Sequence, residues 1–181
     1  MKHRLAGSLL ALGLLGAASV AATTAPGSPA DRSDVAAVIA RFKQKDPGMA
    51  RVFARAYGYA VFPTVGKGGI GLGAARGKGY VYERGRLVGR STLTQVTIGL
   101  QLGGQAYSEV VFFKTKAAFQ NFKNGNLKLG AQASAIALTH RASGDLAYRD
   151  GVAIVTMAKG GLMYEASVGG QKFSFQPLGS R

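Results

Sequence analysis

Few residues in this chain could do covalent or metal chemistry. There is no cysteine, and of the two histidines one, His3, lies in the first few residues, which leaves His140 alone. The eight acidic residues, Asp31, Asp34, Asp46, Glu83, Glu109, Asp145, Asp150 and Glu165, are scattered. No spacing among them would hold a transition metal through imidazole or thiolate. A Ser, His, Asp relay could only use His140 with Asp145 or Asp150, and no Gly-x-Ser-x-Gly elbow presents the serine. His140 is therefore expected to be a loop histidine. Glu109 and Glu165 are the carboxylates most readily imagined across a glycosidic bond, and both are expected to be solvated or ion-paired. Gly66, Gly68 and Gly71 match G-x-G-x-x-G after a strand-like run, but that fingerprint must open a helix. Here Leu72 to Tyr82 alternates instead and carries more glycine at 73, 77 and 79. Gly77 and Lys78 are followed by Gly79 where a phosphate loop needs Ser or Thr, and Leu72 stands in place of its first glycine. These residues point to a protein that is not an enzyme and uses no cofactor.

What the chain has in quantity is positive charge: 23 Lys and Arg against 8 Asp and Glu, a net +15. Lys67, Arg76, Lys78, Arg84, Arg86 and Arg90 are opposed locally only by Glu83. Arg41, Lys43, Lys45, Arg51 and Arg55 surround a second point opposed only by Asp46. Near an anionic bilayer each cation contributes about 1 kcal/mol, so five together supply about 5 kcal/mol before ordering costs, enough for reversible docking. Such charge also suits nucleic acid, but the N-terminus argues for export. Lys2 and Arg4 precede an apolar run from Leu5 to Val20, followed by the small residues Ala21 and Ala22. Residues 1–22 read as a secretory signal peptide rather than a membrane anchor, the run being shorter than the ~20 residues a span needs. Without Lys2 and Arg4 the 23 basic residues fall to 21 against 8 acidic ones, a net +13. With no cysteine there is neither a disulfide nor a lipid-attachment site, and packing alone must hold the fold. Anionic phospholipid is then the expected partner and nucleic acid is not. The expected location is periplasmic or secreted, at the periphery of a membrane.

The elements that must position these cations follow from period. Residues 23–30, rich in Pro, Ser and Thr, read as a flexible leader, and residues 31–181 as a single domain. Val35, Val38, Ile39 and Phe42 fall at i, i+3, i+4 and i+7 behind a cap at Ser33 or Asp34, which predicts a helix. Asp46 and Pro47 suit the cap and first position of a second helix through Met49, Val52, Phe53 and Ala56, stopped by Gly58. From there the period becomes two. Tyr59 to Pro63, Gly69 to Gly77, Lys78 to Glu83, Leu87 to Leu93, Gln95 to Gln101 and Ala106 to Phe113 read as strands, with a turn at Glu83 to Arg86. Thr115 to Lys123 is the one later helix, followed by strands over Leu127 to Leu138, Val152 to Met157, Leu162 to Val168 and Lys172 to Gln176. Glycine recurs inside these strands, which predicts sites where another backbone, a sharp curve or a ligand comes close. The expected fold class is α+β: two N-terminal helices followed by a glycine-rich, mostly antiparallel curved sheet or partial barrel with one inserted helix.

Several segments resemble the SYLF lipid-binding domain. They are Gly58-Tyr-Ala-Val-Phe-Pro63, Val65-Gly-Lys-Gly-Gly69, Gly77-Lys-Gly79 and, above all, Ser91 to Gln105 with its Gly99 to Gln105 end. The similarity runs from about Val35 to the C-terminus. It implies a lipid-binding module. Eukaryotic relatives, the yeast actin-patch proteins among them, are linked to phosphoinositides and actin patches, and bacterial relatives are exported lipid binders. This chain has no tryptophan, and Ser91-Thr92-Leu93 stands where those eukaryotic relatives carry a Trp-Ser pair, so actin binding is not expected to carry over. The reading is an exported domain holding anionic phospholipid through Lys67, Arg76, Lys78, Arg84, Arg86 and Arg90. A small outer-membrane β-barrel and an apolar-ligand carrier are its competitors.

Overall fold

The computed structural model of the chain describes residues 29–70, 72–98, 104–127, 129, 134–159 and 166–179. The expected signal peptide, most of the leader, the Gly99 to Gly103 stretch and Glu165 lie outside those residues. The elements run α1 (Pro29–Lys45), α2 (Met49–Arg55), β1 (Gly58–Ile70), β2 (Leu72–Glu83), β3 (Arg86–Ile98), β4 (Gly104–Phe113), α3 (Lys116–Lys123), β5 (Ser134–Ala137), β6 (Val152–Ala158), β7 (Ala166–Ser167) and β8 (Lys172–Pro177).

The helices form for the reasons that period and capping supply, with boundaries shifted. α1 already begins at Pro29, so Ser33 and Asp34 lie inside it rather than capping it. α2 starts at Met49 with Gly48 at its cap and no side-chain cap bond. Asp46 is used otherwise: its carboxylate accepts from Gly48 N (2.9 Å) and from Ser143 N (2.6 Å), fastening the helix junction to a distant loop. At α3, Thr115 is the N-cap, accepting from Ala118 N at 3.2 Å.

The strands are longer than the glycines suggest. What reads as five segments between Tyr59 and Gln101 is three long strands, because neighbouring ladders hold the backbone extended through Gly66, Gly68, Gly77 and Gly79. The Glu83 to Arg86 turn stands as expected, with Arg84 and Gly85 at positive φ. β1 passes through Pro63 by a bulge between Val61 and Thr64, and the Pro63 carbonyl accepts from the buried Ser108 hydroxyl (2.8 Å).

The strand order is β7-β5-β6-β4-β1-β2-β3-β8, an open eight-stranded sheet. Its pairs are antiparallel except β5 with β6, which is parallel. Both faces are covered. One carries α1, α2 and the 138–148 segment over Tyr59, Val61, Tyr80, Val110, Phe112 and Val155. The other is concave and holds Phe62, Leu93, Phe113 and Phe173 against Phe119 and Phe122 of α3. β4 and β8 lie four places apart in the order, yet Gln171, just before β8, reaches Glu109 of β4. The rings of Phe62 on β1 and Phe173 on β8 are 5.8 Å apart. Such cross-strand reach requires strong curl. Glycine permits it: a Cβ on Gly79 would stand 2.6 Å from both the Phe62 ring and the Val61 carbonyl oxygen.

Candidate functional site

Strand alternation sorts the basic residues between the two faces. Even-numbered β2 residues share the α1 face. Arg76 and Lys78 lie there, opposite Thr94 and Thr92 of β3 and Gly66 and Thr64 of β1. Arg90 pairs with Tyr80 and joins the same face. Lys67 pairs with Ala75, an odd-numbered position, so it falls half-buried on the concave side. The bulge before Thr64 puts it there, shifting the register of the second half of β1. Arg84 and Arg86 sit at the β2–β3 turn, about 20 Å along the strand from Lys78 at 3.3 Å per residue. There Arg84 stacks over the Tyr57 ring (5.1 Å), while Tyr57 Oη donates to Glu83 (2.7 Å).

Of six candidate cations, then, three converge. Arg76, Lys78 and Arg90 line a groove of about 660 Å³ with Thr64, Tyr80, Thr92 and Gln176, and among the described residues Asp34 of α1 is the one acid on its wall. α1 creates it by covering Tyr59, Val61 and Tyr80 but not the farther half of β1, β2 and β3. The Arg90 guanidinium lies 5.7 Å over the Tyr80 ring. Its Nε and Nη2 are shut from water without a hydrogen-bond partner. These two nitrogens form one edge of the guanidinium fork, the edge that grips carboxylate or phosphate oxygens in pairs. Lys159 is a cation that spacing did not reveal. It follows β6, far off in sequence, yet its Nζ donates to Thr64 Oγ1 (2.6 Å) at the groove wall.

The second basic group behaves as its composition suggests. Arg41, Lys43, Lys45, Arg51 and Arg55 are all exposed. Arg51 and Arg55 border a hollow of about 340 Å³ with Ser143, Leu146 and Tyr148. Their one local acid is turned inward. Burial works to raise the Asp46 pKa, but bonds from Ser143 and Gly48 outweigh it and hold the carboxyl below the usual value.

No catalytic geometry emerges among the described residues. His140 is exposed in a turn, and Asp145 and Asp150 are exposed as well. No group of three metal-ligating side chains occurs among the described residues. Gly66 and Gly68 lie in a β-hairpin, not at a helix start. Glu109 corrects the expectation that it is solvated or ion-paired. It is fully buried on the concave side, where its partner is Gln171 (3.0 Å). A carboxylate in an extended polar-apolar alternation reads as outward-facing, and only the curl of the sheet turns that face into an interior.

The sequence model of the family described as "Ysc84: Las17-binding protein actin regulator" matches residues 94–177. The match takes in the end of β3, then β4, α3 and all later strands. The chain is also similar to Beta cell expansion factor A of Aeromonas veronii, with 27% identity over 136 residues, covering 74% of this chain and 51% of that protein. It spans about half the length of that curated relative. Of the residues lining the groove only Gln176 falls inside the matched segment; Arg76, Lys78 and Arg90 precede it. Residues 94–177 thus match the sequence model of the Ysc84 (SYLF) family.

Proposed function

We propose that this protein is an exported, non-enzymatic module that binds anionic phospholipid headgroups in the groove formed by Arg76, Lys78 and Arg90. The observation that carries the reading is the convergence of these cations on one face of adjacent strands around a cleft whose wall carries, among the described residues, a single acid. A cleft lined by one sign of charge concentrates counter-ions. Three cations at about 1 kcal/mol each supply about 3 kcal/mol toward an anionic surface, with the exposed arginines of α2 adding to a second contact. The family's lipid-binding association is carried over and its actin association is not, since this chain lacks tryptophan and has Ser91-Thr92-Leu93 at the divergent position.

The competing readings fit less well. A membrane barrel needs a closed sheet with a lipid-facing apolar belt, whereas this sheet is open among the described residues and covered by helices on both faces. An apolar carrier needs an empty interior, whereas the concave side is packed with Phe62, Phe113, Phe119, Phe122 and Phe173. Cosedimentation with vesicles tests the proposal. Retention on phosphatidylglycerol vesicles should exceed that on phosphatidylcholine, weaken with salt, and fall by an order of magnitude or more in R76E/K78E but much less in R84E/R86E. Equal retention on neutral vesicles, or equal loss in the two double variants, would refute the groove assignment.

A further inference from the structure

Glu109 plays no part in that reading. It lies on β4 facing the concave interior, wholly buried. Each neighbouring element presents a definite group to it. Thr156 of β6 stands directly opposite, Phe62 of β1 lies on its other side, and Tyr107 is the next residue of β4 on the same face. Phe119 and Phe122 of α3 pack into the same cluster, and Lys67 shares the face farther along β1. The closest polar partner comes from the 168–171 turn, where Gln171 Nε2 donates to Glu109 Oε2 at 3.0 Å. The Gln171 amide also bonds the Tyr107 side chain.

Three oxygens in this nest lack partners: Glu109 Oε1, Gln171 Oε1 and Thr156 Oγ1. The first two belong to the joined pair, and with the carboxyl ionised both are acceptors with no donor between them. One proton taken from solvent onto Glu109 Oε1 supplies that donor. Acid and amide can then close a ring of two hydrogen bonds. Without the proton, a buried charge keeps one bond and, among the described residues, no neighbouring cation, an arrangement that favours hydration and opening.

The segment that would open is well defined. β8 itself stays on β3 through a continuous ladder from Gly89 with Pro177 to Thr94 with Lys172. Among the described residues, the turn ahead of it is held by Gln95 Nε2 to Gly169 O (2.8 Å), Gly170 N to Leu129 O (3.2 Å) and Gln171 N to Val168 O (3.2 Å), and by the buried Val168 side chain. We propose that Glu109 and Gln171 form a proton-operated latch: the neutral carboxyl holds the 168–171 turn against β4, and ionisation releases it and admits water to the aromatic concave face. Burial, acting against the bond from Gln171, moves this carboxyl up to about 7, which sets the switch near neutrality. The latch is separate from the basic groove and does not depend on what that groove binds.

Amide hydrogen exchange on the full chain at pH 5.5 and 8.5, corrected for intrinsic rates, tests the latch. If the opened carboxyl titrates near 4.5 and the closed one near 7, opening of the turn rises about 30-fold between the two conditions. The amides of Gly170 and Gln171 should lose that much protection relative to Val110 and Phe112 of β4, and E109Q should abolish the change. Unchanged relative protection in the parent protein, or the same loss in E109Q, overturns the proposal. Should E109Q not fold, the Glu109 carboxyl is titrated by carbon NMR in the parent protein. A midpoint coinciding with that of Gly170 exchange supports the latch, and one in the ordinary glutamate range overturns it.

Discussion

Replacing Gly79 with alanine isolates the packing role of glycine in this sheet. An added Cβ would stand 2.6 Å from Phe62 Cδ1 and 2.9 Å from Phe62 Cε1, and also 2.6 Å from the Val61 carbonyl oxygen. The ring could swing aside if the backbone oxygen were not in the way. Phe62 is itself wedged against Phe173 and fully buried, so relief requires β1 and β2 to separate. Overpacking of this kind costs about 1–3 kcal/mol. Lower entropy of the unfolded chain returns at most about 1 kcal/mol. Gly66 provides the control, being in the neighbouring strand with nothing within 4 Å of an added Cβ. Gly66→Ala should therefore be neutral or slightly stabilising, and the two variants should differ by about 2 kcal/mol. Urea unfolding followed by circular dichroism, with m-values compared to exclude a change in the unfolded state, measures that difference. Equal midpoints for Gly79→Ala and Gly66→Ala would refute the claim that the concave face leaves no room at Gly79.

Two further outcomes are expected. Asp46→Ala should destabilise the protein by about 1–3 kcal/mol, because two part-buried backbone donors, Gly48 N and Ser143 N, lose their charged acceptor. The Asp46 contribution, belonging to a carboxyl held below 3.8, should persist above that pH and vanish as the pH falls through its lowered value, as seen by comparing acid unfolding of parent and variant. For Glu109 the sign is opposite. Its folded value of about 7 lies above 4.5, so the folded state holds the extra proton, and its contribution to stability declines as pH rises from 4.5 to about 7 and is level beyond. That decline amounts to about 3 kcal/mol, so Glu109→Gln should gain on the parent protein by about this much between pH 4.5 and 8 in denaturant titrations. A constant difference across that range would sink the assignment.

Local patterns along the chain were sufficient for much of this. Helical spacing at Val35, Val38 and Phe42, the Thr115 start of α3, the Glu83 to Arg86 turn and the alternation from Tyr59 onward all reflect interactions between near neighbours, which a sequence displays directly. So do the scarcity of catalytic groups and the excess of cations. Pairing between distant strands decided the rest. The bulge at Pro63 sends Lys67 to one face while Arg76 and Lys78 take the other, and a register shift of that kind leaves no mark in composition. Lys159 reaches the groove, and Gln171 reaches Glu109, only because a curled sheet brings together positions separated by 95 and 62 residues. Whether a polar residue on an alternating strand meets water or a sealed interior depends on what packs over it, and that is a property of the assembled fold rather than of any segment.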